Sequence, residues 1–167
     1  MKRGQTDFNF LIGINKPTGM TSHDLVSACR NIFNEKRIGH MGTLDPLASG
    51  VMLIGVGSAA RLNNYLELSD KTYKVTAEFG VATNTFDAEG EPTERSEVDS
   101  QYMTKEFASE YLQKLIGKHK QTPPAFSAIK VDGKPAYKSA RKGDEVSLPD
   151  REVEIFDTNL CEVSKNS

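Results

Sequence analysis

No run of about 18 consecutive apolar residues, the length a membrane-spanning helix needs, occurs in this chain. Its start, Met1-Lys2-Arg3-Gly4-Gln5-Thr6-Asp7, lacks the apolar core of a secretory signal. A soluble, cytoplasmic protein is expected. Cysteine is scarce: Cys29 and Cys161 lie far apart, and Cys29 falls on the apolar side of a predicted helix, which suits a small buried hydrophobe better than a disulfide. The three histidines, His23, His40 and His119, have no metal-ligand spacing, so no structural metal is expected. An excess of positive charge is also missing. The formal net charge of −2 weighs against a phosphate-binding protein, which is usually basic overall. Nothing repeats and nothing is of low complexity.

What is present suffices for one domain over residues 1–167, since 37% hydrophobic residues at this length can close a real core. The charges are unevenly placed. Lys114 to Lys142 holds eight Lys/Arg and one acid, Asp132, whereas Thr85 to Glu110 holds eight acids against Arg95 and Lys105. This polarity predicts a basic and an acidic face, although charge runs are commonly plain solvated surface.

Hydrophobic spacing divides the chain into short elements. Phe10 to Ile14 reads as a buried strand feeding the turn Lys16-Pro17-Thr18-Gly19. A helix follows, capped by Thr21 or Ser22, with Asp24 in its first turn and Leu25, Cys29, Ile32 and Phe33 as an apolar stripe. Val51 to Val56 reads as a buried strand and Ala59 to Leu68 as a short helix with Leu62, Tyr65 and Leu66 on one side. In Thr72 to Gly80, Tyr73, Val75, Ala77 and Phe79 alternate with Lys74, Thr76 and Glu78, the pattern of a half-buried strand with Tyr73 at its rim. Val81 to Val98 reads as a long acidic loop or loose hairpin.

Phe107, Ala108, Tyr111, Leu112, Leu115 and Ile116 then mark an amphipathic helix, stopped by Gly117 and expected to cover a sheet face. Pro123-Pro124 forbids regular helix, and Phe126 beside Lys120 and Lys130 offers an aromatic-and-basic RNA contact. Val131-Asp132-Gly133-Lys134 fits a tight turn, Ala136 to Lys142 a short basic helix, and Val153, Ile155 and Phe156 a strand. Together these predict an α+β fold, a mixed, largely antiparallel sheet with packed helices.

The most chemically suggestive stretch is Gly39-His40-Met41-Gly42-Thr43-Leu44-Asp45-Pro46-Leu47-Ala48-Ser49-Gly50, a glycine-rich loop running into the apolar Val51-Met52-Leu53-Ile54. Pro46 pushes Asp45 toward an extended backbone, and the glycines allow tight turns and close approach to a ligand. Asp, Gly and Pro are also ordinary turn residues, so Asp45 alone does not separate a catalytic from a structural role.

The longer string GHMGTLDPLASGV resembles the signature of the TruB family, the tRNA pseudouridine-55 synthases. Asn15-Lys16-Pro17-Thr18-Gly19-Met20-Thr21-Ser22 is similar to the family's KPxGxTS segment and Lys71-Thr72-Tyr73-Lys74 to its KxY strand. Pro123-Pro124 through Ser127-Ala128-Ile129-Lys130 to Ala140-Arg141 is similar to its PPxxSAxK…AR block. The resemblance implies a pseudouridine-synthase fold and an enzyme that isomerises a uridine in the tRNA T loop without a cofactor. It implies Asp45 as nucleophile, Tyr73 lining the uracil pocket and His40 filling the gap left by a flipped base. Lys16 and Lys130 are further candidates for substrate contact, and a monomer acting on the tRNA T arm is expected.

A carboxylate suits this chemistry, because it can attack the sugar or base, or stabilise positive charge developing on the sugar. Two other readings remain open: a tRNA-binding or folding module without chemistry, and an N-glycosidic hydrolase, for which no partner carboxylate declares itself. The family's GTYIR-like strand, whose arginine pairs with the catalytic aspartate, and its carboxy-terminal RNA-binding domain have no counterpart before Ser167. The nearest cations in sequence, Arg37 and Arg61, lie in segments that read as surface or helix. A desolvated carboxylate without a cationic partner is disfavoured, so the 167-residue chain by itself is not expected to be a competent synthase.

Overall fold

The computed structural model describes residues 6–66, 69–123, 130–131, 134–135 and 148–164. The chain divides into two compact units, Met1–Tyr73 and Lys74–Ser167.

The first unit contains β1 (Phe10–Lys16), α1 (Ser22–Phe33), β2 (Ile38–His40) and β3 (Gly50–Val56). A 3-10 turn at Gly57–Leu62 and the single-turn helix α2 (Asn63–Leu66) follow. The strands form an antiparallel sheet in the order β1-β3-β2. Residues directly opposite share a face. Phe10, Ile12 and Ile14 therefore line up with Val56, Ile54 and Met52, and Ile38 and His40 extend the same row. Against this face pack Leu25, Val26 and Cys29 of α1, closing a core with Ile38, Met52, Ile54 and Val56. The apolar run of β3 is thus buried on alternate residues: Met52, Ile54 and Val56 lie under α1, whereas Val51 and Leu53 face the other way and are exposed.

Helix α1 begins where its sequence says it should. Thr21 is the cap: its hydroxyl accepts the Asp24 N–H, and the Asp24 carboxylate accepts the Thr21 N–H, a reciprocal pair that satisfies two otherwise orphaned donors. The Thr21 hydroxyl also donates to that carboxylate and holds its pKa below the ordinary range. Ile32, expected in the apolar stripe, is 76% exposed. Val26 takes its place, because Ile32 falls at the rim of the buried arc in the last turn.

Glu35, fully buried after α1, ties the start of the chain to the sheet. Both its oxygens accept from Arg37, and Oε2 also accepts the N–H and hydroxyl of Thr6. These donors, Arg37 first, hold its carboxyl far below the usual carboxylate range.

The second unit contains the hairpin β4 (Val81–Thr83) and β5 (Pro92–Arg95), then α3 (Lys105–Lys114), β6 (Gly117–Gln121), β7 (Lys130–Val131), β8 (Lys134–Pro135) and β9 (Arg151–Ile155). The acidic stretch forms a hairpin, one of the two forms anticipated. β7 and β8 pair antiparallel, and the tight turn expected at residues 131–134 falls in part on residues 132 and 133, which lie outside the described residues. All described pairings in both units are antiparallel, and with the helices they make an α+β structure.

Two expectations are corrected here. Thr72 to Gly80 forms no strand among the described residues; Val75 is 78% exposed, because an alternating pattern has nothing to bury against without a ladder partner. Helix α3 is capped by Thr104 as a helix should be, yet none of its residues is buried, so among the described residues it does not cover a sheet face as expected. The strand expected near the end is present as β9 and pairs with β6, a polar Gly-Lys-His-Lys-Gln strand that hydrophobic spacing does not reveal. The expected basic helix at 136–142 lies outside the described residues.

Candidate active site

Asp45 sits in the loop between β2 and β3, and its side chain is exposed. Its own carbonyl accepts the Ala48 N–H at 3.1 Å, closing a tight turn. The residues on either side are fastened to the segment Lys16 to Ser22. On one side, Leu44 N–H donates to Ser22 Oγ at 3.0 Å, and Ser22 Oγ donates back to the Leu44 carbonyl at 2.9 Å. On the other, the Pro46 carbonyl accepts the Gly19 N–H at 2.8 Å and faces Lys16 Nζ at 3.5 Å. Gly19 reaches this position with φ of +78°, which side-chain-bearing residues rarely adopt.

Lys16 is fully buried. Its ammonium donates to the carbonyls of Met20 (2.7 Å) and Pro17 (2.9 Å) as well as approaching Pro46, and pairs with no carboxylate among the described residues. In this arrangement it lies beneath the two turns and clamps them together, where sequence reading made it a candidate substrate contact. A buried cation is tolerated when its protons are matched, as they are here.

The upstream half of the loop is held by the sheet. Met41 is buried, and its N–H donates to the Leu53 carbonyl at 2.9 Å. A Cβ on Gly55 would overlap the Met41 methyl and the Ala59 carbonyl, so that glycine makes the seat for Met41. His40 ends β2 opposite Ile54, half-buried on the helix-covered face, with its Nδ1 enclosed and unpartnered among the described residues.

Tyr73 is 65% exposed at the boundary of the first unit, and no hydrogen bond or ring contact joins it to the Asp45 loop among the described residues. Of the cations nearest to Asp45 in sequence, Arg37 is engaged with Glu35 and Arg61 is exposed. Lys130 lies in β7 of the second unit, with its side chain outside the described residues, as are residues 124–129 and 136–147 of the PPxxSAxK…AR block. In the described part of the basic stretch, Lys118 and Lys120 stand opposite Glu154 and Glu152, and Lys118 pairs with Glu152 at 2.9 Å. Their charge is offset within this two-stranded sheet.

Residues 30–167 match the sequence profile of the TruB family pseudouridylate synthase (N terminal domain). The chain belongs to the TruB family. Among its relatives are the tRNA pseudouridine synthase B of Fusobacterium nucleatum, 44% identical over 156 residues (93% of this chain, 53% of the relative). That of Oceanobacillus iheyensis is 43% identical over 152 residues (91% and 50%). This TruB-family chain therefore spans about half the length of these curated relatives. Among solved structures, a Cbf5–Nop10–Gar1 complex aligns at a TM-score of 0.46 and 24% identity, covering 74% of this chain and 31% of the other.

Ser22 is the site residue that sequence reading missed. The sequence offers it as an alternative helix cap and as the last residue of the KPxGxTS-like segment, with no bond to the Asp45 loop. The signal was available in the pair Thr21-Ser22: one hydroxyl caps a helix, which leaves the neighbouring hydroxyl for another partner.

Proposed function

We propose that this chain carries the nucleophile-bearing part of an enzyme that isomerises the T-loop uridine of tRNA, position 55, to pseudouridine, with Asp45 as the nucleophile. The observation that carries the reading is an exposed carboxylate on a loop whose two flanking residues are both fastened. Isomerisation breaks the bond from C1′ to N1, turns the uracil and joins C1′ to C5; the C5 hydrogen leaves as a proton and N1 gains one. No electrons are exchanged with a second reactant. A fixed carboxylate can attack the sugar or base, or stabilise charge developing on the sugar. The target base must first leave its stack. Tyr73, being exposed, can offer a ring face to the uracil; His40 is the candidate to fill the vacated gap, and Lys130 to contact the RNA. Lys16 serves this reading from beneath the loop.

The test incubates unmodified tRNA with the chain joined to the part of the Fusobacterium nucleatum relative that it does not match. Pseudouridine has the mass of uridine and is detected by chemical derivatisation, with free uracil measured in parallel. Pseudouridine at position 55 supports the proposal. Free uracil without pseudouridine would make the protein an N-glycosidic hydrolase, and tRNA binding with neither product would make it a binding module.

A further inference from the structure

We infer that Ser22 is a positioning residue for Asp45, a role that rests on the proposed nucleophile and specifies how its loop is held. A single hydroxyl, 4% exposed on the first turn of α1, both accepts from and donates to Leu44. The Leu44 N–H belongs to the peptide joining residues 43 and 44, and the Leu44 carbonyl to the peptide joining 44 and 45. One side chain therefore orients two successive peptide planes immediately before Asp45. On the far side Pro46 restricts the Asp45 backbone to extended conformations, and the Pro46 carbonyl is bonded to Gly19. Asp45 is left with little backbone freedom while its carboxylate stays in solvent. Ser22 is free for this work because the adjacent Thr21 performs the capping, and the capping box fixes the helix end from which Ser22 projects.

The bond is directional in a useful way. A serine hydroxyl has one proton, and here that proton and a lone pair are both used on the same residue, so Leu44 cannot rotate about either peptide without breaking a bond. Apolar replacement would leave the Leu44 N–H and carbonyl without their partner in a poorly hydrated place, and the loop would relax toward conformations in which water reaches them.

The experiment compares Ser22→Ala and Ser22→Cys with the parent. Cysteine keeps the shape and weakens both bonds, so it carries the test if the alanine variant does not fold. On the full 167-residue chain, backbone NMR reads Leu44 amide exchange and the Asp45 order parameter. In the extended protein, single-turnover rate and tRNA Kd are read separately. Loss of one hydrogen bond predicts Leu44 exchange faster by about tenfold in Ser22→Ala, with the Cys29 amide inside α1 unchanged. The Asp45 order parameter should fall from about 0.85 toward 0.6, with cysteine intermediate. Turnover should fall roughly 10- to 100-fold while Kd stays within about twofold, the signature of a displaced reacting group rather than lost binding. An unchanged Asp45 order parameter would overturn the inference, as would a rate loss that merely follows the loss in Tm or Kd. If the parent makes no pseudouridine, the proposed function fails, and the NMR result alone decides whether Ser22 holds Asp45.

Discussion

In β1, burial alternates along a strand whose covered row is matched by β3; from Tyr73 to Phe79 the sequence itself alternates apolar with polar, yet the side chains remain in water. The two larger helices differ in the same way. α1 and α3 both start at a threonine cap with an acid in the first turn, but α1 buries four residues and α3 none. Among the described residues, every buried hydrophobic except Leu148 lies between Leu25 and Val56. Local signals are therefore comparable in the two units. The difference is whether a second element answers the apolar face. Each buried aliphatic side chain contributes roughly 1.5–3 kcal/mol, so the first unit's stability rests on its core, while the described residues of the second are joined more by ladders and turns.

The contrast can be broken at its strongest point. Ile54→Ala, at a fully buried position, should cost about 2–5 kcal/mol by urea denaturation. Leu112→Ala, on the half-buried face of α3, should cost less than about 1 kcal/mol. Equal costs would mean that the second unit has a core comparable to the first.

Next in expected size is a pH effect confined to the first unit. The folded-state pKa of Glu35 lies below its ordinary value near 4.5, so between the two values the unfolded chain binds the extra proton. The stabilisation is complete above the ordinary value and is lost as pH falls below it. Melting followed from pH 7 to pH 3 should show this decline in the parent, and Glu35→Gln should flatten it.

A smaller difference separates the helix caps. Thr21→Ala and Thr104→Ala should each cost about 1 kcal/mol, with Thr21 the larger because it also ends the reciprocal pair with Asp24. Thermal denaturation of the two variants checks the order. Smallest of all is the exposed pair Lys118–Glu152, for which a double-mutant cycle should give about 0.2–1 kcal/mol, declining with added salt.

The same division explains what could be read from sequence. The helix start at Thr21 or Ser22, the Asp45 turn and the apolar strand from Phe10 were legible because each depends on neighbours within a few residues. The β6–β9 pairing was not, because β6 is a polar strand whose partner lies some thirty residues away. Thr72 to Gly80 misled in the opposite sense, carrying a strand's pattern without a partner among the described residues. Lys16 was legible as important but not as buried, since only the fold brings three carbonyls around its ammonium. Ser22 was hidden by its neighbour's similarity.

The central claim is that the clamped loop exists to present the Asp45 carboxylate. It is tested most directly by Asp45→Asn in the extended protein, measuring pseudouridine formation in tRNA alongside melting temperature and tRNA Kd. The amide is nearly isosteric and the position is exposed, so stability and binding should be retained, while turnover falls by several orders of magnitude through loss of the nucleophile. Pseudouridine formed at the parent rate by Asp45→Asn would contradict the account.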